Sequence, residues 1–263
     1  MKLSSKYLYQ ILSDKTSGSS DLVAKLNNYV KVNSGNKLEL EKIIELSDKH
    51  LSSFQIINSY IKSLQKLLKR NDTKAIINFS ESFENELKNK YSRLYKNAKI
   101  YLNEFNFILT LSNSSTIAEV FKLWKNDNPT LKIVIPESRP KNEGKLLAGK
   151  LLKINFKVDF ITDLSIANFM DKIDAVIIGA DKVLKNGNVI NKTGSKSIAI
   201  LCSYYNKPFI VLATKDKICR NNRFKQMDQN LDEIWKHRNH RLKIHNRYFE
   251  LVENDLITKI FTD

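Results

Sequence analysis

Apolar positions along the chain follow two rhythms, and the change comes near residue 105. Before it, Leu22, Val23, Leu26, Tyr29 and Val30 recur at helical spacing behind Asp21, which predicts a helix capped by that aspartate. Gly35-Asn36 breaks the pattern. Leu40, Ile43, Ile44, Leu51, Phe54, Ile57, Ile61, Leu64 and Leu68 then form a second amphipathic run. Past a turn at Asn71-Asp72-Thr73, Ile76, Phe79, Phe83, Leu87, Tyr91 and Leu94 keep the helical period. No proline precedes Pro129, which suits long helices. Residues 1–104 therefore read as an all-helical N-terminal domain.

From Asn106 short apolar runs alternate with helical stretches. FNFILT precedes SSTIAEVFKLW, LKIVIPE precedes EGKLLAGKLLK, and KVDFIT precedes LSIANFM; DAVIIGA, SKSIAILCSYY and KPFIVLAT follow. Strands that are continuously apolar and separated by helices predict an α/β domain over 105–263, with a mainly parallel sheet covered on both faces. Such sheets bind ligands beyond the carboxyl ends of their strands. Those ends here carry Ser112 to Ser115, Glu137-Ser138-Arg139, Thr162-Asp163, Gly179-Ala180-Asp181 and Thr214-Lys215, so polar residues collect where a site is expected.

Composition narrows the classes. The chain has 263 residues, 42% of them hydrophobic, ample for one large or two moderate domains. No apolar run is long enough to span a bilayer, and the N-terminus lacks the uninterrupted apolar core of a signal peptide, which predicts a cytoplasmic protein. Cys202 and Cys219 are far from any zinc-like or redox spacing and read as reduced thiols. The net charge of +16 raises nucleic acid as a partner, but the charge is spread widely. Its one dense patch, Lys236–Arg247, reads as a solvated basic loop. The three histidines in that segment lack the carboxylate or cysteine a zinc site wants, and no metal or cofactor is expected.

Four places could carry chemistry. Asp181 ends a buried apolar run, where partial desolvation would raise its pKa toward that of a proton-transfer group; as an alternative it caps a turn. Asn186-Gly187 signals a hairpin, after which Asn191-Lys192-Thr193-Gly194-Ser195 leads into a helix. Lys192 would stand beside that helix's N-terminus, whose free amides favour an anion, with Thr193 and Ser195 as hydroxyl donors. The spacing matches neither a Walker A loop nor a dinucleotide fingerprint. Arg139 could clamp a phosphate or pair with Glu143, and Lys217 could contact a second anionic group or simply face solvent.

The stretches ESRPKNEGKLLAGKL (Glu137–Leu151), KVDFITDLSIANFM (Lys157–Met170) and GADKVLKNGNVINKTGS (Gly179–Ser195), with IAIL and NKPFIVLAT after them, resemble one superfamily. It holds the alpha, beta and delta regulatory subunits of eukaryotic translation initiation factor 2B, methylthioribose-1-phosphate isomerase and ribose-1,5-bisphosphate isomerase. NRYFELVENDLITKIFTD (Asn246–Asp263) resembles the family's closing segment, and KTSGSSDL (Lys15–Leu22) its early glycine loop. The resemblance implies a helical N-terminal domain followed by a Rossmann-like domain.

In the isomerase branch the resemblance implies an aspartate–cysteine acid–base pair acting on a sugar with phosphate on its anomeric carbon. Asp181 matches the aspartate, Asn191-Lys192 the substrate-binding pair and Lys217 a phosphate-contacting lysine. Ser112 stands at the cysteine's position, beside Asn113 and Ser114 in the same substrate loop. A serine hydroxyl, with its far higher pKa, is a poor proton relay. The glycine loop Ser17-Gly18-Ser19 also lacks the isomerases' phosphate-binding arginine. The favoured expectation is a non-catalytic, regulatory-subunit-like protein that binds a sugar phosphate or nucleotide and forms a homodimer or hetero-oligomer, with the translation machinery as a further partner. The alternative is an aldose–ketose isomerase that uses Asp181 as acid and base.

Overall fold

The computed structural model describes residues 5–14, 17–51, 54–70 and 72–263. It divides into two compact units, Met1–Lys90 and Tyr91–Asp263. The first unit holds α1 (Ser5–Leu12), α2 (Ser19–Val32), α3 (Lys37–Leu51), α4 (Gln55–Leu68) and the start of α5 (Thr73–Leu102). α2 begins ahead of Asp21, with Gly18 at its cap in an extended conformation. Asp21 thus lies in the first turn, where its charge complements the helix dipole. The long amphipathic run from Leu40 to Leu68 is two helices. Asp72 caps α5 by accepting a 2.9 Å hydrogen bond from the Ala75 amide; Asn71 lies outside the described residues. Leu8, Leu26, Tyr29, Leu40, Ile43, Ile57 and Leu64 form this unit's core. A polar tie crosses it: Asn27 donates to the Ser80 carbonyl and accepts from the Tyr60 hydroxyl.

The second unit is built on a six-stranded sheet with order β3-β2-β1-β4-β7-β9. Its strands are β1 (Phe107–Leu109), β2 (Lys132–Pro136), β3 (Lys157–Ile161), β4 (Ala175–Ile178), β7 (Phe209–Leu212) and β9 (Lys259–Phe261). Every neighbouring pair in it is parallel. Strand order reverses between β1 and β4, so loops on the two sides of that junction diverge and leave a crevice at the carboxyl edge. One face is covered by the end of α5 with α6 (Ser115–Asp127) and α7 (Glu143–Leu152), through Leu94, Phe121, Trp124 and Leu147. On the other face Ile166, Met170, Ile198 and Cys202 pack on Val176 and Ile178. Cover on both faces explains why β4 and β7 are apolar at every position.

Three features depart from the alternation of strands and helices. LSIANFM lies largely in a 3₁₀ segment (Asp163–Phe169), whose first residue, Asp163, accepts from the Ser138 and Arg139 amides at 2.8 Å each. A second, antiparallel sheet joins β5 (Lys182–Val183), β6 (Val189–Lys192) and β8 (Phe249–Val252) in the order β5-β6-β8. β5 and β6 form the hairpin that Asn186-Gly187 signals, and Gly187 supplies the left-handed residue at φ 85°. Last, α7 starts hard against the end of β2. A Cβ on Gly144 would stand 1.9 Å from the Pro136 carbonyl oxygen, so only glycine lets the helix approach so closely. Among the described residues no helix is long and apolar enough to cross a membrane.

Candidate functional site

The loops after β1 and β2 meet at the carboxyl edge. Ser112 and Ser138 both adopt left-handed backbone, with φ of 66° and 60°, a conformation uncommon for residues other than glycine. The Ser112 amide donates to the Ser138 hydroxyl at 3.0 Å, and that hydroxyl donates to the Pro136 carbonyl at 3.1 Å. This turns the Ser112 side chain toward the first turn of α7, where its hydroxyl donates to Glu143 Oε2 at 2.7 Å. The other Glu143 oxygen accepts from Lys192 Nζ at 2.8 Å. Glu143 is 4% exposed. One buried carboxylate therefore joins the serine at the end of β1 to the lysine at the end of β6. The Lys192 ammonium also sits 4.8 Å from the centres of both the Tyr248 and Phe249 rings, a cation–π clamp.

The N-terminus of α8 (Ser195–Tyr204) differs from the expectation of free amides awaiting an anion. Its anion is the protein's own: Glu250 Oε1 on β8 accepts from the Gly194 and Lys196 amides at 2.8 Å each. The nearby hydroxyls are spent as well. Thr193 donates to the Arg247 carbonyl at 2.6 Å, and Ser195 donates to the Lys192 carbonyl while accepting from the Asn191 amide. Asn191 and Ser195 thus fix the backbone that aims Lys192.

Beside Lys192 a shallow surface recess is lined by Ser138, Arg139, Lys141, Glu143, Thr193, Arg247 and Tyr248, among others. Most of its cations already face carboxylates. Lys192 pairs with Glu143, Lys141 with Glu233 at 2.5 Å, and Arg247 with the exposed Asp228 at 3.1 Å. Tyr248 donates its hydroxyl to Glu233. The exposed Arg139 guanidinium makes no ion pair among the described residues, and Glu143, its expected alternative partner, is taken by Lys192.

Asp181 follows β4 and is partly exposed. Withdrawal of its carboxyl from water raises its pKa above the usual carboxylate range, although the charges of Lys217 and Lys192 oppose the shift. The nearby Glu143 charge adds to it. Lys217 ends a 3₁₀ turn (Lys215–Lys217) after β7. Asn113 is buried, and Ser114 spends its hydroxyl capping α6 by accepting from the Ile117 amide.

Ser17, Gly18 and Ser19 belong to the helical unit. Ser17 donates to Asp14 through both its amide and its hydroxyl, and Lys25 closes the same cluster at 2.6 Å from Asp14. Residues 15 and 16 lie outside the described residues. Among the described residues no group of three or more His, Cys, Asp and Glu side chains could hold a metal ion. Sequence reasoning missed Glu143 as the hub, along with Lys141, Arg247 and Tyr248 as lining. The only signal was an acid in the first turn of a helix following a serine–arginine loop.

Comparison with known proteins places these features in context. The model of the Initiation factor 2 subunit family matches residues 8–263. Translation initiation factor 2B subunit delta of Dictyostelium discoideum is 29% identical over 182 residues, covering 62% of this chain and 29% of that protein. Ribose 1,5-bisphosphate isomerase of Methanocaldococcus jannaschii is 29% identical over 150 residues, covering 57% of this chain and 49% of that protein. The chain thus spans less than half the length of either curated relative. The crystal structure of 5-methylthioribose 1-phosphate isomerase from Pyrococcus horikoshii superposes with a TM-score of 0.83 at 18% identity, covering 98% of this chain and 82% of that one.

Proposed function

Because the chain belongs to the Initiation factor 2 subunit family, we propose that it is a regulatory-subunit-like protein that binds a sugar phosphate or nucleotide without turning it over. The ligand lies in the recess at the carboxyl edge, and the protein assembles with itself or with partner subunits, the translation machinery among them. The observation that carries this reading is the state of Ser112. A hydroxyl stands where the isomerase relatives resemble one another in having a cysteine, and its proton is committed to Glu143 at 2.7 Å. A serine paired in that way has no acidity suited to shuttling a proton at neutral pH. Arg139 and Lys192, with the Lys217 charge nearby, supply the attraction for a phosphate.

The test is calorimetry against ribose 5-phosphate, ribose-1,5-bisphosphate, methylthioribose-1-phosphate and AMP, with phosphorus NMR to follow turnover. Binding without turnover is expected, and Lys192→Ala weakens it roughly tenfold or more, as loss of a charge-assisted contact does. The absence of binding by every one of these ligands would sink the reading.

One observation favours the isomerase alternative. Burial makes Asp181 a weaker acid than an ordinary aspartate, the direction a proton-transfer group needs. Conversion of either sugar phosphate, abolished in Asp181→Asn, would establish that alternative in place of the first.

A further inference from the structure

Glu143 occupies an unusual position for a carboxylate in a site that attracts anions. Its side chain is 6% exposed and lines the recess, and both of its oxygens are bonded inward, to Ser112 and to Lys192. The other two paired cations of the recess are matched by carboxylates nearer to water: the Glu233 side chain is 14% exposed and that of Asp228 74%. An ion pair as exposed as Arg247–Asp228 contributes little and is readily exchanged. The Glu143–Lys192 pair cannot be exchanged so cheaply, because either charge left alone in the interior is strongly unfavourable.

We propose that Glu143 is the specificity-determining residue of the recess, a built-in counter-anion that excludes bare phosphate and admits phosphate esters carrying hydroxyl groups. This rests on the reading that the recess binds a phosphorylated ligand. A phosphate drawn toward Arg139 and Lys192 meets the charge of the buried Glu143, and like charges brought that close repel. An ester with free hydroxyls brings its own compensation. A ligand hydroxyl can donate to a Glu143 oxygen in place of Ser112 or Lys192, so the carboxylate stays satisfied while the ammonium turns to the phosphate. Ser112 has a matching part, since its hydroxyl is both donor and acceptor and can re-orient toward the ligand.

The experiment measures the affinity of inorganic phosphate and of ribose 5-phosphate for the wild type, Glu143→Gln and Glu143→Asp by calorimetry, with folding followed by circular dichroism. Glu143→Gln, isosteric and uncharged, should tighten inorganic phosphate by roughly tenfold or more. The preference for ribose 5-phosphate over phosphate should shrink by a similar factor. Glu143→Asp keeps the charge and should not gain phosphate affinity, which separates electrostatics from mere loosening of the site. In Glu143→Gln/Lys192→Met most of the gain should vanish relative to Glu143→Gln. If Glu143→Gln does not fold, the double variant, which leaves neither charge unpaired, is compared with Lys192→Met alone; removing the carboxylate must still raise phosphate affinity.

Unchanged or weaker phosphate binding in Glu143→Gln overturns the proposal, as does an equal gain in Glu143→Asp. A wild type that binds no sugar phosphate, alongside a Glu143→Gln variant that gains phosphate, refutes the binding function and with it the admission of esters, and leaves only the exclusion of phosphate by Glu143 standing. Ribose 5-phosphate binding to the wild type with no phosphate gain in the variant does the reverse.

Discussion

Asp181 shows how much one residue's surroundings can change what its type implies. Its carboxyl is held from water at the end of β4, and that desolvation outweighs the attraction of Lys217 and Lys192, so its folded pKa lies above the unfolded one. The unfolded state therefore holds the proton less tightly than the native state. Stability from this group is fully present below the ordinary aspartate pKa and is lost as pH rises through the raised folded value. Asp181→Asn removes that dependence. The expected outcome in urea denaturation is near-equal stability of the two proteins at pH 3.5 and a more stable variant at pH 7. A variant less stable at pH 7 would mean that the lysines, and not burial, govern the group. The position of Asp181 after an apolar run was legible in the sequence. The opposing lysines were not, since they come from the end of β6 and from a 3₁₀ turn, 11 and 36 residues further along the chain.

At the scale of elements, α8 depends on a carboxylate from another strand. Gly194 precedes its first turn with φ of 105° and offers no side-chain cap, and the amides of Gly194 and Lys196 are satisfied by reaching across to Glu250 on β8. Glu250→Ala leaves both amides without that acceptor, and a loss of about 1–2 kcal/mol is expected in chemical denaturation. Glu250→Gln keeps an acceptor and should lose less; an equal loss would show that packing of the side chain, and not capping, matters there. The main sheet was readable from periodicity because its strands are apolar on both faces and the helices between them have stripes. β5, β6 and β8 were harder to read. They are short, β8 joins β6 at a separation of some sixty residues, and half of β6 is the polar pair Asn191-Lys192, which local pattern assigns to a loop. Glu143 escaped notice for the same reason: its role is set by Ser112 and Lys192, far away in sequence, and nothing within α7 distinguishes it from an ordinary first-turn acid.

The whole molecule carries a net charge of +16 and presents its densest basic segment, Lys236–Arg247, largely to solvent. Charge of one sign keeps copies apart at long range, so association has to come from apolar surface at close range. Leu164, Leu152 and Phe160 are exposed around β3, at one edge of the main sheet, which is the kind of surface that association would cover. Sedimentation velocity at physiological salt is expected to give a particle of at least twice the 30.5 kDa chain mass, shifting toward single chains when salt is lowered and repulsion grows. A single 30.5 kDa species at all salt concentrations would remove self-assembly from the proposed function.

The pairing of β9 with β7 also sets an order of events during synthesis. β7 is apolar at every position, yet the strand that covers its outer side is some tens of residues further along the chain, beyond the whole irregular basic segment. At ribosomal speeds of roughly 5–20 residues per second, several seconds separate the two strands. Throughout that interval the growing sheet ends in an open row of amides and carbonyls flanked by Phe209 and Val211. The segment strung between the two strands emerges during that same wait, and its lysines and arginines, dense from Lys236 to Arg247 and interspersed elsewhere with acids, are charged gatekeepers beside the unfinished edge until β9 arrives to close it.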